Sequence, residues 1–259
     1  MPAWNPWRGC HRFSEGCRFC YIHKGDARRG VNTGEIVKTD NFCAPVARKK
    51  NGEYKMKAGL VNLGFSTDFL LPEADGWRSE CWDMIRERSD CRFLFLTKRI
   101  ERFADCIPPD WGEGYDNVTV GCTVENQRRA DERLPVFAAL PIRHKNIICQ
   151  PMLSPIDLEK YLDGIELVMA GGESDRYARP LYYDWVLDLR EQCIRRKVAF
   201  SFRQCGTHFV KDGKKYTLQV RDLAAQARKA NINFYPAMEE KAEVPMQRAD
   251  RDKAERKSE

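Results

Sequence analysis

From residue 60 onward the chain alternates short apolar runs with amphipathic stretches. The apolar runs are Leu60–Phe65, Arg92–Leu96, Val118–Cys122, Asn146–Cys149, Glu166–Ala170 and Val198–Phe202, with a further short run near Trp4–Trp7. Between them, helical periodicity is expected over 76–89, 99–106, 126–139, 156–163 and 181–196. Near-continuous apolar runs mark strands buried on both faces, and their alternation with helices predicts parallel βαβ units. The count approaches that of a TIM-like (β/α) barrel, complete or partial. An open doubly wound sheet would give the same alternation, but no Gly-x-Gly-x-x-Gly follows the first strand to suggest a dinucleotide fold. In either architecture ligands gather at the carboxyl ends of the strands. Phe65–Asp68, Thr97–Arg99, Thr123–Glu125, Gln150–Met152, Gly171–Ser174 and Arg203–Gln204 all follow strands directly and bring polar residues to that end.

The flanking segments read differently. A first helix is expected over 20–30, stopped at Gly30. Residues 45–58 are basic and turn-prone around Asn51-Gly52, which reads as a loop or hairpin with wet lysines. The α/β body is expected to span 1–206, followed by an extension packed on it over 207–238. That extension holds a turn at Lys211–Lys215, a helix within 221–238 and an extended piece at Asn231–Pro236. From Glu239 to Glu259, seven acids and six bases surround five scattered apolar residues, so a disordered tail is expected there.

At 259 residues with 42% hydrophobic positions the chain can bury a full core, and no apolar run approaches the ~20 residues of a membrane span. A secretory signal is not legible, and eleven irregularly spaced cysteines do not resemble a disulfide framework, so a soluble protein of the reducing cytoplasm is expected. A net charge of +6 permits a nucleic-acid or nucleotide partner without requiring one.

The densest chemistry lies near the start, in Cys10-His-Arg-Phe-Ser-Glu-Gly-Cys17-Arg-Phe-Cys20-Tyr21. Three thiols within eleven residues, with Gly9 and Gly16 just ahead of two of them, form a loop able to wrap one inorganic centre. Thiolates hold iron–sulfur clusters one per iron, so three local cysteines leave the fourth iron of a cubane open to a ligand. If a helix begins near Cys17, Cys17 and Cys20 share the side of its first turn. Zinc competes, because His23 extends the set to Cys17-x-x-Cys20-x-x-His23 and Cys43 offers a further ligand. Spacing alone leaves zinc and iron–sulfur open. Cys43, Cys81, Cys91, Cys106, Cys149 and Cys193 read as core or helix-face residues. Cys122 and Cys205, at strand ends, read as buried thiols near the site.

Cys17-Arg-Phe19-Cys20 resembles the Cys-x-aromatic-Cys end of the radical S-adenosylmethionine (radical SAM) signature, with six residues rather than three between the first two cysteines. The chain is also similar to a phage- and prophage-associated three-cysteine-motif family regarded as radical-SAM-like. The matching stretches include Trp4-Asn-Pro-Trp-Arg-Gly-Cys10, Gly16–Tyr21, Phe65–Asp68, Leu96–Arg99, Gly121–Glu125, Ala130–Arg133, Gly171–Ser174, Ala178–Pro180 and Phe202–Gln204. The resemblance implies a [4Fe-4S] cluster on Cys10, Cys17 and Cys20, with S-adenosyl-L-methionine at the open iron and an external electron donor. It further implies cosubstrate contacts from Phe19, Tyr21, Ser66, Thr67, Asp68, Glu125, Gly171, Gly172 and Glu173. Asp68 could instead cap the next helix, as Asp often does. The Gly171-Gly172-Glu173 motif follows a later strand than in most radical SAM enzymes, so its ligand stays open. Lys98, Arg99, Arg203 and Gln204, with Arg179 nearby, suit an anionic or hydrogen-bonding substrate, first of all a nucleic acid or nucleotide. Where the family has Glu-Pro after a strand, this chain has Gln150-Pro151. Two alternatives are carried forward, a zinc-stabilised nucleic-acid-binding module and a cluster-bearing subunit acting beside a second phage-encoded protein.

Overall fold

A computed structural model describes residues 2–236. In chain order its elements are β1 (Ala3–Trp4), β2 (Trp7–Arg8), α1 (Tyr21–Arg28), β3 (Val37–Lys38), β4 (Gly59–Leu63), α2 (Asp75–Glu87), β5 (Cys91–Thr97), α3 (Phe103–Cys106), β6 (Val118–Thr123), α4 (Gln127–Ala139), β7 (His144–Cys149), β8 (Ile165–Gly171), β9 (Leu181–Tyr182), α5 (Tyr183–Arg195), β10 (Ala199–Gln204), β11 (His208–Lys211), β12 (Lys214–Thr217) and α6 (Leu223–Ala230). The main sheet has seven parallel strands in the order β1-β4-β5-β6-β7-β8-β10. It is curled but open, with β1 and β10 at unjoined edges, so it is a partial barrel and not a closed one. All six apolar runs from residue 60 onward are strands of this sheet.

Side-chain alternation along the strands divides the interior in two. Val61, Leu63, Phe93, Phe95, Val118, Val120, Ile147, Val168 and Phe200 pack in the main hydrophobic core. The helices meet it through apolar stripes at helical spacing, Cys81, Trp82 and Ile85 on α2 and Val186, Leu189 and Cys193 on α5. On the concave face Leu60, Leu94, Leu96, Ile148 and Met169 line a cleft instead. Gly121 belongs to that face by parity. A Cβ there would lie 2.5 Å from Leu96 Cδ2, so the close floor requires glycine.

One expected helix does not form, and two expected turns carry more structure than the sequence suggests. The predicted helix over 156–163 is only a single 3-10 turn, Glu159–Tyr161. The Gln192 side chain takes over the backbone partners ahead of it, accepting from Leu158 N at 2.7 Å and donating to Ile156 O at 3.0 Å. The turn at 211–215 is the tip of a real hairpin, β11–β12, whose first strand pairs with β9 at the start of what reads as pure helix. The 45–58 segment does form a local hairpin contact, Arg48 with Tyr54, but it is fastened to the core by the fully buried Arg88, which donates to Pro45 O and Met56 O. After α6, Phe234 exchanges backbone hydrogen bonds with Phe200 of β10. The expected tail, 239–259, lies outside the described residues.

Candidate functional site

The cysteine loop crosses the carboxyl ends of the strands, over a cleft of about 460 Å³. Cys10, Cys17 and Cys20 all line it, together with Phe19, Tyr21, Ser66, Thr67, Asp68, Lys98, Arg99, Gly172, Glu173, Arg203 and Gln204. Glu125, Gly171 and Arg179, also singled out in the sequence, are not part of this lining. Cys17 ends a 3-10 turn (Glu15–Cys17) and Cys20 is the N-cap of α1, so the helix begins after the last cysteine rather than near Cys17. Gly9 has φ +95°, and a Cβ on it would meet Glu35 O at 2.3 Å, which explains the glycine that turns the chain into the loop.

What holds the loop is a set of charged groups rising from the strand ends. Asp68, after β4, is buried and accepts from Leu70 N, Thr97 Oγ1, Lys98 N and Arg99 Nη1, at 2.8 to 3.2 Å. It closes a local turn onto Leu70 without capping the helix that follows, and it anchors Arg99, whose Nη2 donates to His11 O in the loop at 2.9 Å. Thr67 Oγ1 donates to Gly9 O at 2.5 Å. Glu125, after β6, is fully buried. It accepts from Ser14 Oγ at 2.5 Å and pairs with Lys98 Nζ at 3.1 Å and Arg133 Nη1 at 2.9 Å. Burial pushes the Glu125 carboxyl up, but Lys98, Arg133 and Ser14 together outweigh it and hold the group below the usual glutamate range. Gly16 lies flat against this carboxylate, since a Cβ there would come within 2.5 Å of Glu125 Cγ.

Glu15, in the loop, pairs with Arg129 at 2.8 Å and is hydrogen-bonded by Asn126, and the Arg129 bonds lower its carboxyl to about 2. Glu173, after β8, takes Arg179 in a bidentate pair, and Arg179 Nη2 also donates to Glu15 O at 2.8 Å. Lys24 of α1 pairs with the buried Asp175 at 2.5 Å. Asp68, Glu125 and Glu173 are therefore already ion-paired inside the protein, and each ties a strand end to the cysteine loop. The glycines of Gly171-Gly172-Glu173 also have a packing reason. A Cβ on Gly172 would lie 2.7 Å from Gly206 Cα and 2.9 Å from Cys205 O.

Ser14, Glu15, Arg129 and Arg133 are anchors that sequence reasoning missed. The available signal was two arginines four apart on α4, which share one helix face, and two polar residues inside the Cys10–Cys17 interval. Cys122 and Cys205 do not line the cleft. They lie in the hydrophobic core, where burial pushes their thiols up to about 12 and about 11.

Among the described residues, no group of three or more His, Cys, Asp or Glu side chains is gathered to hold a metal ion. Neither the zinc set Cys17, Cys20, His23 and Cys43 nor the cluster set Cys10, Cys17 and Cys20 is among such groups. His23 lines a neighbouring outer hollow with Cys10, His11, Arg12 and Thr33, and Cys43 is exposed. Cys10, Cys17 and Cys20 line one cleft. Cys10 is pushed up to about 12, by burial first and then by Asp68, against the opposing Arg99. A thiol so placed becomes a stable thiolate only on binding a metal. Cubane ligands bind separate irons, so they stand farther apart than ligands sharing one ion.

Among the described residues no helix is long and apolar enough to cross a membrane. No curated protein and no solved structure matches the chain. A family model does, over residues 2–258, and its description is "Protein of unknown function (DUF5131)". With nearly its whole length inside that match, the chain belongs to the DUF5131 family.

Proposed function

We propose that the protein is a radical SAM-type enzyme whose cleft takes a [4Fe-4S] cluster on Cys10, Cys17 and Cys20 and S-adenosylmethionine beside it. The observation that carries this reading is the all-thiol set lining the same cleft as the polar strand ends, at the mouth of a partial parallel barrel. When bound, these groups would supply one-electron cleavage of the cosubstrate to methionine and a 5′-deoxyadenosyl radical able to abstract hydrogen from an unactivated carbon. The protein's own contribution is positional. Arg99, Glu125 and Arg179 fix the loop, Phe19 and Tyr21 wall the cleft beside Cys20, and the apolar floor of Leu60, Leu94, Leu96, Ile148 and Met169 excludes water. The Ser66 hydroxyl and the Gln150 side chain, which make no hydrogen bond within the described residues, are left to receive a cosubstrate.

A second reading draws on the full engagement of Asp68 and Glu173 by arginines. With no uncommitted cleft carboxylate to meet the cosubstrate ammonium, the chain would act as a cluster-bearing subunit beside a second protein. Anaerobic reconstitution separates the readings. About four irons with 5′-deoxyadenosine formed under a strong reductant supports the enzyme. Four irons without cleavage supports the subunit, and no iron uptake removes both.

A further inference from the structure

The face that carries the cleft bears arginines with no acidic partner among the described residues. The carboxylates lining it, Asp68 and Glu173, and those just behind, Glu15, Glu125 and Asp175, are each paired with a lysine or arginine. Arg12 and Arg18 on the cysteine loop and Arg203 at the end of β10 are exposed, and no carboxylate among the described residues lies within ion-pair reach of them. Arg203 lines the cleft, Arg12 lines the hollow beside it, and Arg18 stands between Cys17 and Cys20, which line the cleft.

Aromatic rings are interleaved with these cations. Phe13, Tyr21 and Tyr177 are 41%, 60% and 64% exposed, and Arg99 and Arg133 lie against the Phe13 ring. Each sits next to or near an arginine in sequence, and Arg176 lies over the Tyr177 ring at 4.3 Å. Tyr21 and Tyr177 flank one junction. Lys24, one turn along α1 from Tyr21, pairs with Asp175, two residues before Tyr177, and Ser174 in the same segment lines the cleft.

Exposed rings among unpaired cations give a surface on which bases stack while phosphates are neutralised. An acidic protein would use the cations but has no need of the rings. A duplex hides its base faces. We infer that this face binds single-stranded nucleic acid, with bases on Tyr21 and Tyr177 and phosphates on Arg12, Arg18 and Arg203. The inference rests on the proposed function only in making the bound strand the substrate.

The test is fluorescence anisotropy of a labelled single-stranded 12-mer, its duplex, and polyglutamate, with the full-length protein at a series of salt concentrations. Binding to the single strand is expected, with log Kobs falling against log salt at a slope of about −2 for three phosphate contacts. The Arg18→Gln/Arg203→Gln double variant should weaken binding and flatten the slope by about 1.4. Tyr177→Ala should weaken it roughly 5- to 150-fold, the range for one base–ring stack. All three positions are exposed, so the core is untouched. Equal binding of duplex, tighter binding of polyglutamate, or no single-strand binding at low salt overturns the inference. Assaying 5′-deoxyadenosine in the same preparation separates the two failures. Cleavage without strand binding sinks this inference alone, and strand binding without cleavage sinks the enzymatic reading alone.

Discussion

Replacing Glu125 by glutamine is the sharpest perturbation of the anchor system. The carboxylate is fully buried and faces two cations, Lys98 and Arg133, whose side chains are 18% and 4% exposed. Glutamine keeps the shape and removes the charge. Removing one partner of a buried ion pair costs about 3–5 kcal/mol, because the other charge stays behind uncompensated. For a chain of this size that corresponds to a fall in Tm of roughly 6–20 °C. Urea unfolding should show the midpoint moving down at constant m. Ser14 loses its short bond to the carboxylate at the same time, so hydrogen exchange over residues 10–20 should quicken. Glu132→Gln is the control. Glu132 pairs with Arg128 and Arg129 on the surface of α4, where a lost pair is worth about 0–1 kcal/mol. A shift for Glu125→Gln no larger than the control's, with exchange in the loop unchanged, would refute the view that buried charge holds the loop.

Other expectations follow from the same geometry. Gly172→Ala forces a Cβ against the backbone of Cys205 and Gly206 and should destabilise by about 1–3 kcal/mol in the same urea titration, whether or not any ligand is added. Because Arg129 lowers Glu15 from an ordinary value of 4.5 to about 2, the stability that pair contributes is fully present above about 4.5 and is lost as the pH falls through about 2. Melting curves of wild type and Glu15→Gln should therefore converge across that window and stay parallel above it. Arg99→Met removes the link between Asp68 and His11 O, and should lower iron uptake on reconstitution more than the exposed Arg92→Met does.

The strands of the main sheet could be read from sequence because parallel strands buried on both sides leave unbroken apolar runs. Leu94 and Leu96 face the cleft while Phe93 and Phe95 face the core, yet all four are apolar. The same property hid which face was the site. The polar strand ends were also visible, but not their partners. Asp68 looks the same in sequence whether it meets a ligand ammonium or Arg99, and only the fold brings residues 31 apart within 3.0 Å. The 156–163 error has a similar origin, since the competing partner was the Gln192 side chain, 34 residues from Leu158. Curvature of the sheet, and hence an open rather than closed barrel, depends on which strands stand at its edges. β1, at only two residues, was too short to count reliably.

The central claim is that Cys10, Cys17 and Cys20 together hold one cluster. The most direct measurement is iron and sulfide content after anaerobic reconstitution of wild type, of each Cys→Ala variant at these positions, and of Cys43→Ala. About four irons and four sulfides per chain in wild type and Cys43→Ala, with marked loss in each of the other three, is the predicted result. Equal iron in all five proteins, or one zinc bound in preference to iron, would contradict it.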